Sequence, residues 1–195
     1  MHKTGVIHGR FQLLHNDHLK YLLAGKERCE HLVVGITNPD PTLTRGDAAD
    51  PARSSRKSNP FTYFERYCMV RDALADEGLR DEISIVPFPI NFPQLYHYYL
   101  PMQATFFLTI YDEWGEKKLR LFKELGLATE ILWRRPRAGK GLSATEIRQK
   151  MMNGEPWEDL VPPAVARLVK EFDLQERQQG TVVPDGEHTA PYSGG

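Results

Sequence analysis

Two clusters in this chain have residue types and spacing suited to holding phosphate. The first is Gly9-Arg10-Phe11-Gln12-Leu13-Leu14-His15-Asn16-Asp17-His18. It lies between a strand-like segment, Thr4 to His8, and an amphipathic helix expected from about His15 to Cys29. His15 and His18 are three apart, so at a helix start they share a face and both rings reach one anion. The helix N-terminus adds unpaired backbone N–H groups and a positive dipole end. Arg10 adds a forked donor. Taken alone, a His-x-x-His pair also reads as two surface histidines, or as a weak zinc signal that lacks a nearby carboxylate pair. Its place directly after the first strand favours phosphate.

The second cluster is Gly141-Leu142-Ser143-Ala144-Thr145-Glu146-Ile147-Arg148. Ser143 and Thr145 offer hydroxyls and backbone donors at a helix start, and Arg148 lies one turn in. Ser143 and Glu146 also form a capping box, for which the bland reading is a solvated Arg148. Gly139-Lys140-Gly141 is not a P-loop, because the earlier glycine and the directly following Ser or Thr are missing. Arg134, Arg135 and Arg137 form a basic stretch beside it that reads equally as phosphate contact or as a solvated charge run. Trp114, Trp133 and Trp157 read as packing residues. No Ser or Cys has the surroundings of an activated nucleophile. Cys29 and Cys68 lie far apart without metal spacing and read as reduced thiols.

The elements that must position these clusters alternate. Strands are expected at Thr4–His8, His31–Ile36, Ile83–Val86, Ala104–Ile110 and Glu130–Arg134. Helices are expected at Pro60–Ala75, Glu113–Leu125, Ser143–Met152 and Pro162–Phe172, with Asn91–Leu100 ambiguous. Thr37–Asn59 is a long polar loop, and Gln178–Gly195 is expected to be a disordered tail. Alternation of this kind implies an α/β fold: a doubly wound parallel sheet over residues 1–177 with C-terminal helices, its ligand at the carboxyl ends of the strands. The length, 195 residues, fits one domain. A net charge of −1 excludes a bulk basic field for nucleic acid, and no apolar run reaches membrane-span length. The N-terminus runs straight into a strand without a secretion signal, so a cytoplasmic protein is expected.

Together the two clusters resemble the nucleotidyltransferase superfamily marked by an HxGH motif and a late ISxTxxR motif. Within it the chain looks most like archaeal-type nicotinamide-mononucleotide adenylyltransferases. GRFQLLHNDH, NPFTYFER (Asn59 to Arg66), LRLFKELGL and LSATEIRQKM carry the resemblance, which covers about Thr4 to Arg177. It implies a Rossmann-like fold and transfer of AMP from ATP, with Mg²⁺, to nicotinamide or nicotinate mononucleotide. Cytidylyl transfer to another phosphorylated or phosphonate acceptor is the alternative, and a non-catalytic nucleotide-binding protein is a third reading. The resemblance assigns His15, His18, Arg10 and Arg148 to catalysis, and Gly9, Phe11, Gln12, Ser143, Thr145 and Arg148 to nucleotide phosphates. Asn91 and Tyr96 fall to the acceptor, with Tyr96 standing where the family has a ring-stacking Trp. No protein metal ligand is implied, and a homo-oligomer is compatible with the resemblance. The chain departs from the pattern at Asp17, where the family has glycine. It departs again at Pro89 and at Ser58, where an acidic and a basic residue are usual.

Overall fold

Val6 and Ile7 are both fully buried, on opposite faces of a strand that packs helices on each side. That strand, β1 (His2–Gly9), is the centre of a five-stranded parallel sheet in the computed structural model, which describes residues 1–44, 55, 58–136 and 141–178. The other strands are β2 (Cys29–Thr37), β3 (Ile83–Phe88), β4 (Thr105–Ile110) and β5 (Ala128–Arg134), in the order β3-β2-β1-β4-β5. The helices are α1 (Asn16–Lys26), α2 (Tyr63–Asp76), α3 (Tyr96–Tyr99), α4 (Glu113–Glu124), α5 (Ala144–Asn153), α6 (Pro163–Glu171) and α7 (Leu174–Gln178). The expected α/β doubly wound parallel sheet is therefore present. No helix of the described residues is long and apolar enough to cross a membrane.

The alternation of buried side chains divides the core into two layers. Ile7, Leu32, Val34 and Phe107 face a layer built with residues of α1, α2, α5, α6 and α7. Val6, Val33, Phe106 and Leu108 face the other, closed by α3 and α4 through Tyr96, Leu119 and Phe122. β1, β2 and β4 are paired on both edges, and helical layers cover both faces of the sheet, as their near-continuous apolar runs require.

Element ends differ from the sequence reading where a cap intervenes. α1 begins at Asn16 because His15 is its extended N-cap, accepting from the His18 N–H at 3.4 Å. α2 begins at Tyr63, not Pro60, because Thr62 forms a complete capping box with Glu65. The ambiguous 91–100 stretch is a 3₁₀ turn, Pro93–Leu95, running into the single turn of α3. α7 adds a short helix after α6; Arg177 on it forks onto Glu65 at 2.7 and 2.8 Å, tying the C-terminal helices to α2. Residues 179–195, expected as a tail, lie outside the described residues, as do positions 45–54 and 56–57 of the long loop.

Arg66 on α2 is 1% exposed. Its guanidinium donates to five backbone carbonyls: Thr62 (3.1 Å), Arg10 (2.9 Å), Thr37 (2.8 Å), Asn38 (2.8 Å) and Pro39 (3.5 Å). These belong to the start of α2, the loop after β1 and the loop after β2. Burial draws its pKa down to about 10, which still leaves it charged at neutral pH. An ammonium offers three donors and no planar fork, so Arg66→Lys leaves carbonyls unsatisfied. Arg66→Lys is expected to lower the unfolding free energy by about 2–4 kcal/mol in urea titration. A change within about 0.5 kcal/mol, the size of an ordinary surface substitution, would mean the guanidinium does not hold these loops.

Candidate active site

The β1–β4 ladder pairs Gly5 with Thr105 and Val6 with Phe106, and the register stops there. Past that point the two strands run on without pairing, His8-Gly9 on one and Thr109-Ile110 on the other. This is also where strand order reverses, the position at which open α/β sheets bind ligands. A cleft of about 350 Å³ opens there, within the range of roughly 300–1,000 Å³ common for small-molecule sites.

One part of the cleft is built from the loop after β1 and the start of α5. Phe11 holds a left-handed backbone (φ 48°) with its ring fully buried under Gly9 and edge-on to His18 at 5.2 Å. A Cβ on Gly9 would come within 2.7 Å of that ring, so glycine lets the loop close over it. His15 and His18 stack at 3.7 Å, and both border the cleft. His15 is only 4% exposed and His18 is half-buried, so neither is the exposed surface histidine of the alternative reading. Arg10 reaches the cleft and donates to the Ser58 carbonyl at 3.5 Å. Ser143, Thr145 and Arg148 meet the histidines here, as expected. Ser143 caps α5, and its hydroxyl is engaged by Glu146. Arg148 donates to the Gln12 carbonyl and to Thr145 Oγ1 (3.4 Å) rather than standing in solvent.

Asp17 joins the two helix starts. Its Oδ2 accepts from the Leu142 N–H at 3.1 Å, and Oδ1 pairs with Lys20 at 3.2 Å. Gly141, with φ +69°, makes room: a Cβ there would lie 2.3 Å from Asp17 Oδ2. The carboxylate at the family's glycine position is thus a strut between α1 and the loop before α5.

The other part of the cleft was missed by sequence reasoning. It is lined by His8 from β1, Thr109 and Tyr111 at the end of β4, Asp112, Trp114 and Lys118 of α4 and its cap, and Trp133 of β5. Trp133 Nε1 donates to Tyr111 Oη at 2.5 Å. Trp114 and Trp133 therefore border the cleft, whereas Trp157 is buried packing as expected. The strand-end rule pointed to this region, but no motif marked Lys118.

Two assignments need correction, and a third falls on an adjoining cavity. Tyr96 has no exposed surface: it sits edge-on to Phe88 at 4.7 Å, and its hydroxyl donates to the Ile90 carbonyl at 2.6 Å, so it has no face on which to stack a ligand ring. The Gln12 side chain is spent on the Phe61 backbone, donating to its carbonyl (3.0 Å) and accepting from its N–H (2.9 Å); it braces the loop instead of reaching for phosphate. Asn91 borders an adjoining cavity of about 220 Å³ that shares Trp114 and Lys118 with the main cleft but has none of the histidines. Arg137, Gly139 and Lys140 lie outside the described residues. Among the described residues no group of three or more His, Cys, Asp or Glu side chains is placed to hold a metal ion.

Residues 6–150 match the cytidylyltransferase-like family model. The chain is 54% identical over 175 residues to a phosphonoformate cytidylyltransferase of Streptomyces viridochromogenes, covering 89% of this chain and 94% of that protein. It is 34% identical over 179 residues to a nicotinamide-nucleotide adenylyltransferase of Thermococcus onnurineus, covering 91% and 87%. Among solved structures it superposes on a bifunctional NMN adenylyltransferase/ADP ribose pyrophosphatase of Francisella tularensis with a TM-score of 0.66 at 19% identity. That match covers 92% of this chain and 53% of the other, so the chain spans about half of that bifunctional protein.

Two expectations follow from the geometry. Because Asn is a good N-cap, His15→Asn removes the ring while keeping the cap. It should cut nucleotidyl transfer by about 10²–10³-fold and change stability by less than about 1 kcal/mol; unchanged turnover there and in His18→Ala would reject the phosphate assignment. Gly141→Ala should destabilise by about 1–3 kcal/mol, from strained φ and the Asp17 clash. The cost should shrink when combined with Asp17→Gly, and strictly additive unfolding energies would show that the two positions are not coupled.

Proposed function

The chain belongs to the cytidylyltransferase-like family and is a nucleotidyltransferase; within that family, we propose that it transfers CMP from CTP to a small phosphonate acceptor, releasing pyrophosphate. The observation that carries this reading is the 54% identity, across 94% of its length, to a phosphonoformate cytidylyltransferase, against 34% for the adenylyltransferase of Thermococcus onnurineus. Burial of Tyr96 supports it, since the position expected to stack a pyridine ring offers no face to the cleft. The departures at Pro89, Tyr96 and Ser58 from the nicotinamide-mononucleotide pattern point the same way. This exchanges the adenylyl reading of the sequence for its alternative.

In this reading a phosphonate oxygen, already anionic at neutral pH, attacks the α-phosphorus of CTP in line. A P–O bond forms to the acceptor. The bond from the α-phosphorus to the β-bridging oxygen breaks, and pyrophosphate leaves with that electron pair. No proton has to be removed from the nucleophile, and no covalent enzyme intermediate is needed. The protein's work is positioning and charge neutralisation. His15, His18 and Arg10, with the N-terminus of α1, would meet the charge spreading around the α-phosphorus. Thr145, Arg148 and the first N–H groups of α5 would hold the departing phosphates. The carboxylates bordering the cleft are engaged: Asp17 by Leu142 and Lys20, and Asp112 by capping α4 through the Gly115 N–H at 3.1 Å. Mg²⁺ therefore fits best as a passenger on the triphosphate, held by phosphate oxygens and water, where it would supply further charge neutralisation.

Pyrophosphate release with Mg²⁺ tests the reading, pairing CTP or ATP with phosphonoformate or nicotinamide mononucleotide. Release is expected with CTP plus phosphonoformate and at least 100-fold slower with ATP plus nicotinamide mononucleotide. The reverse preference would restore the adenylyl reading. Nucleotide binding without release in any pairing would overturn the phosphonoformate reading and turn the search to other phosphorylated acceptors or to a non-catalytic role.

A further inference from the structure

We propose that Lys118 and His8 form a second anion site in the cleft, separate from the phosphate-binding helix starts, which grips the carboxylate of a small phosphonocarboxylate acceptor. This rests on the phosphonate reading above and specifies which chemical group beyond the phosphonate the enzyme recognises.

His8 is the residue before the last of β1, 5% exposed. Its ring is wedged edge-on between Phe88 (5.4 Å) and Phe122 (5.6 Å). A buried imidazole among phenyl rings costs free energy unless its nitrogens are used. One is: Lys118 Nζ lies 3.1 Å from Nε2. A lysine ammonium can only donate, so Nε2 accepts and the ring proton belongs on Nδ1. Among the described residues Nδ1 has no hydrogen-bond partner. The ring is held neutral by its burial and then by the adjacent ammonium, both of which push its pKa well below the ordinary histidine value. The result is a buried N–H donor, lacking an acceptor, in a ring that borders the cleft.

Lys118 is fixed from the other side. It lies one helical turn after Trp114 on α4, and its ammonium sits 3.9 Å from the centroid of the indole ring. Indole and imidazole hold the charge at the wall shared by the main cleft and the adjoining cavity. The fixed ammonium is a donor for a carboxylate, whose two oxygens accept and cannot donate, and the buried His8 ring behind it holds it in place. The arrangement lies on the β4–α4 part of the cleft, while the triphosphate donors come from the first loop and α5. A carboxylate seated there leaves the phosphonate of the same small molecule to face the α-phosphorus.

Phosphonoformate and methylphosphonate, which lacks the carboxylate, separate the possibilities in the full-length protein with CTP and Mg²⁺. In Lys118→Met, which keeps the apolar stem over Trp114, KM for phosphonoformate should rise roughly 10- to 100-fold, the size of a lost charge-assisted contact. KM for CTP should stay within twofold, and methylphosphonate kinetics should not change. Lys118→Arg should recover part of the loss. His8→Phe, which keeps a ring between Phe88 and Phe122, should weaken phosphonoformate less than Lys118→Met. A rise in the CTP KM instead, or an equal loss for both acceptors, would overturn the proposal and mark Lys118 as a nucleotide or structural contact. Titration calorimetry with phosphonoformate alone keeps this separate from the proposed function. If the parent shows no turnover, binding that disappears in Lys118→Met still supports the anion site, and no binding to the parent overturns it.

Discussion

The site depends on one buried cation committed to backbone carbonyls. Arg66 draws together the carbonyls of Arg10, Thr37, Asn38, Pro39 and Thr62, so the loop after β1, the loop after β2 and the start of α2 share one donor. Buried carbonyls at the ends of strands have no ladder partner and must be satisfied some other way. A guanidinium meets five of them at once, and because the acceptors are dipoles, the site gains no neutralising carboxylate. Further braces build outward from it. The Gln12 amide locks onto the Phe61 backbone, and Arg148 reaches from α5 to the Gln12 carbonyl. The loop after β1 is thus held by donors from α2 and α5, which explains how Phe11 can sit at positive φ: its surroundings over-determine it.

Asp17 shows how a departure from a family pattern is absorbed. A carboxylate in a phosphate site is unfavourable if it faces the anion. Here one oxygen is taken by the Leu142 N–H and the other by Lys20, so its charge is directed along the α1–α5 junction. Gly141 and Asp17 fit as a pair, since only a residue without a Cβ leaves room for the carboxylate. The start of α1 and the loop before α5 are therefore fastened to each other directly, not merely placed near each other by the sheet.

The β4–α4 part of the cleft has a different character. Tyr96, Phe88, Phe106 and Phe122 form an aromatic layer behind it, and His8 is the polar residue set into that layer. Closing Tyr96 into the layer removes a stacking surface and leaves Trp114, Lys118, Tyr111 and Trp133 lining this part of the cleft. The phosphate half holds the two motifs that resemble a nucleotidyltransferase superfamily, while this half holds neither. Such a division is expected where one reaction serves many acceptors, because the phosphates are common to all of them and the acceptor is not.

Much of this was legible in the residues alone, because it depends on neighbours in the chain. Apolar runs of Val and Ile, capping pairs such as Thr62 with Glu65 and Ser143 with Glu146, and alternation of strand with helix are local signals, and they marked the strands, the main helices and the parallel sheet. The His15-His18 spacing and the Ser143-to-Arg148 stretch were legible for the same reason, and the sheet rule said where they would meet. Side-chain commitments across the fold were not legible. Tyr96 looked available because it stands in a run of aromatics, and only the packing of α3 against β3 and α4 buries it. Gln12 looked like a ligand, and only the approach of Phe61 occupies its amide. His8, Trp114 and Lys118 carried no signal, since they are ordinary residues until β1 and α4 bring them together. Short-range order follows from backbone geometry and periodicity, whereas which polar group is spent on structure and which is left for a ligand depends on partners that only the fold brings together, 49 positions apart for Gln12 and Phe61 and 110 for Lys118 and His8.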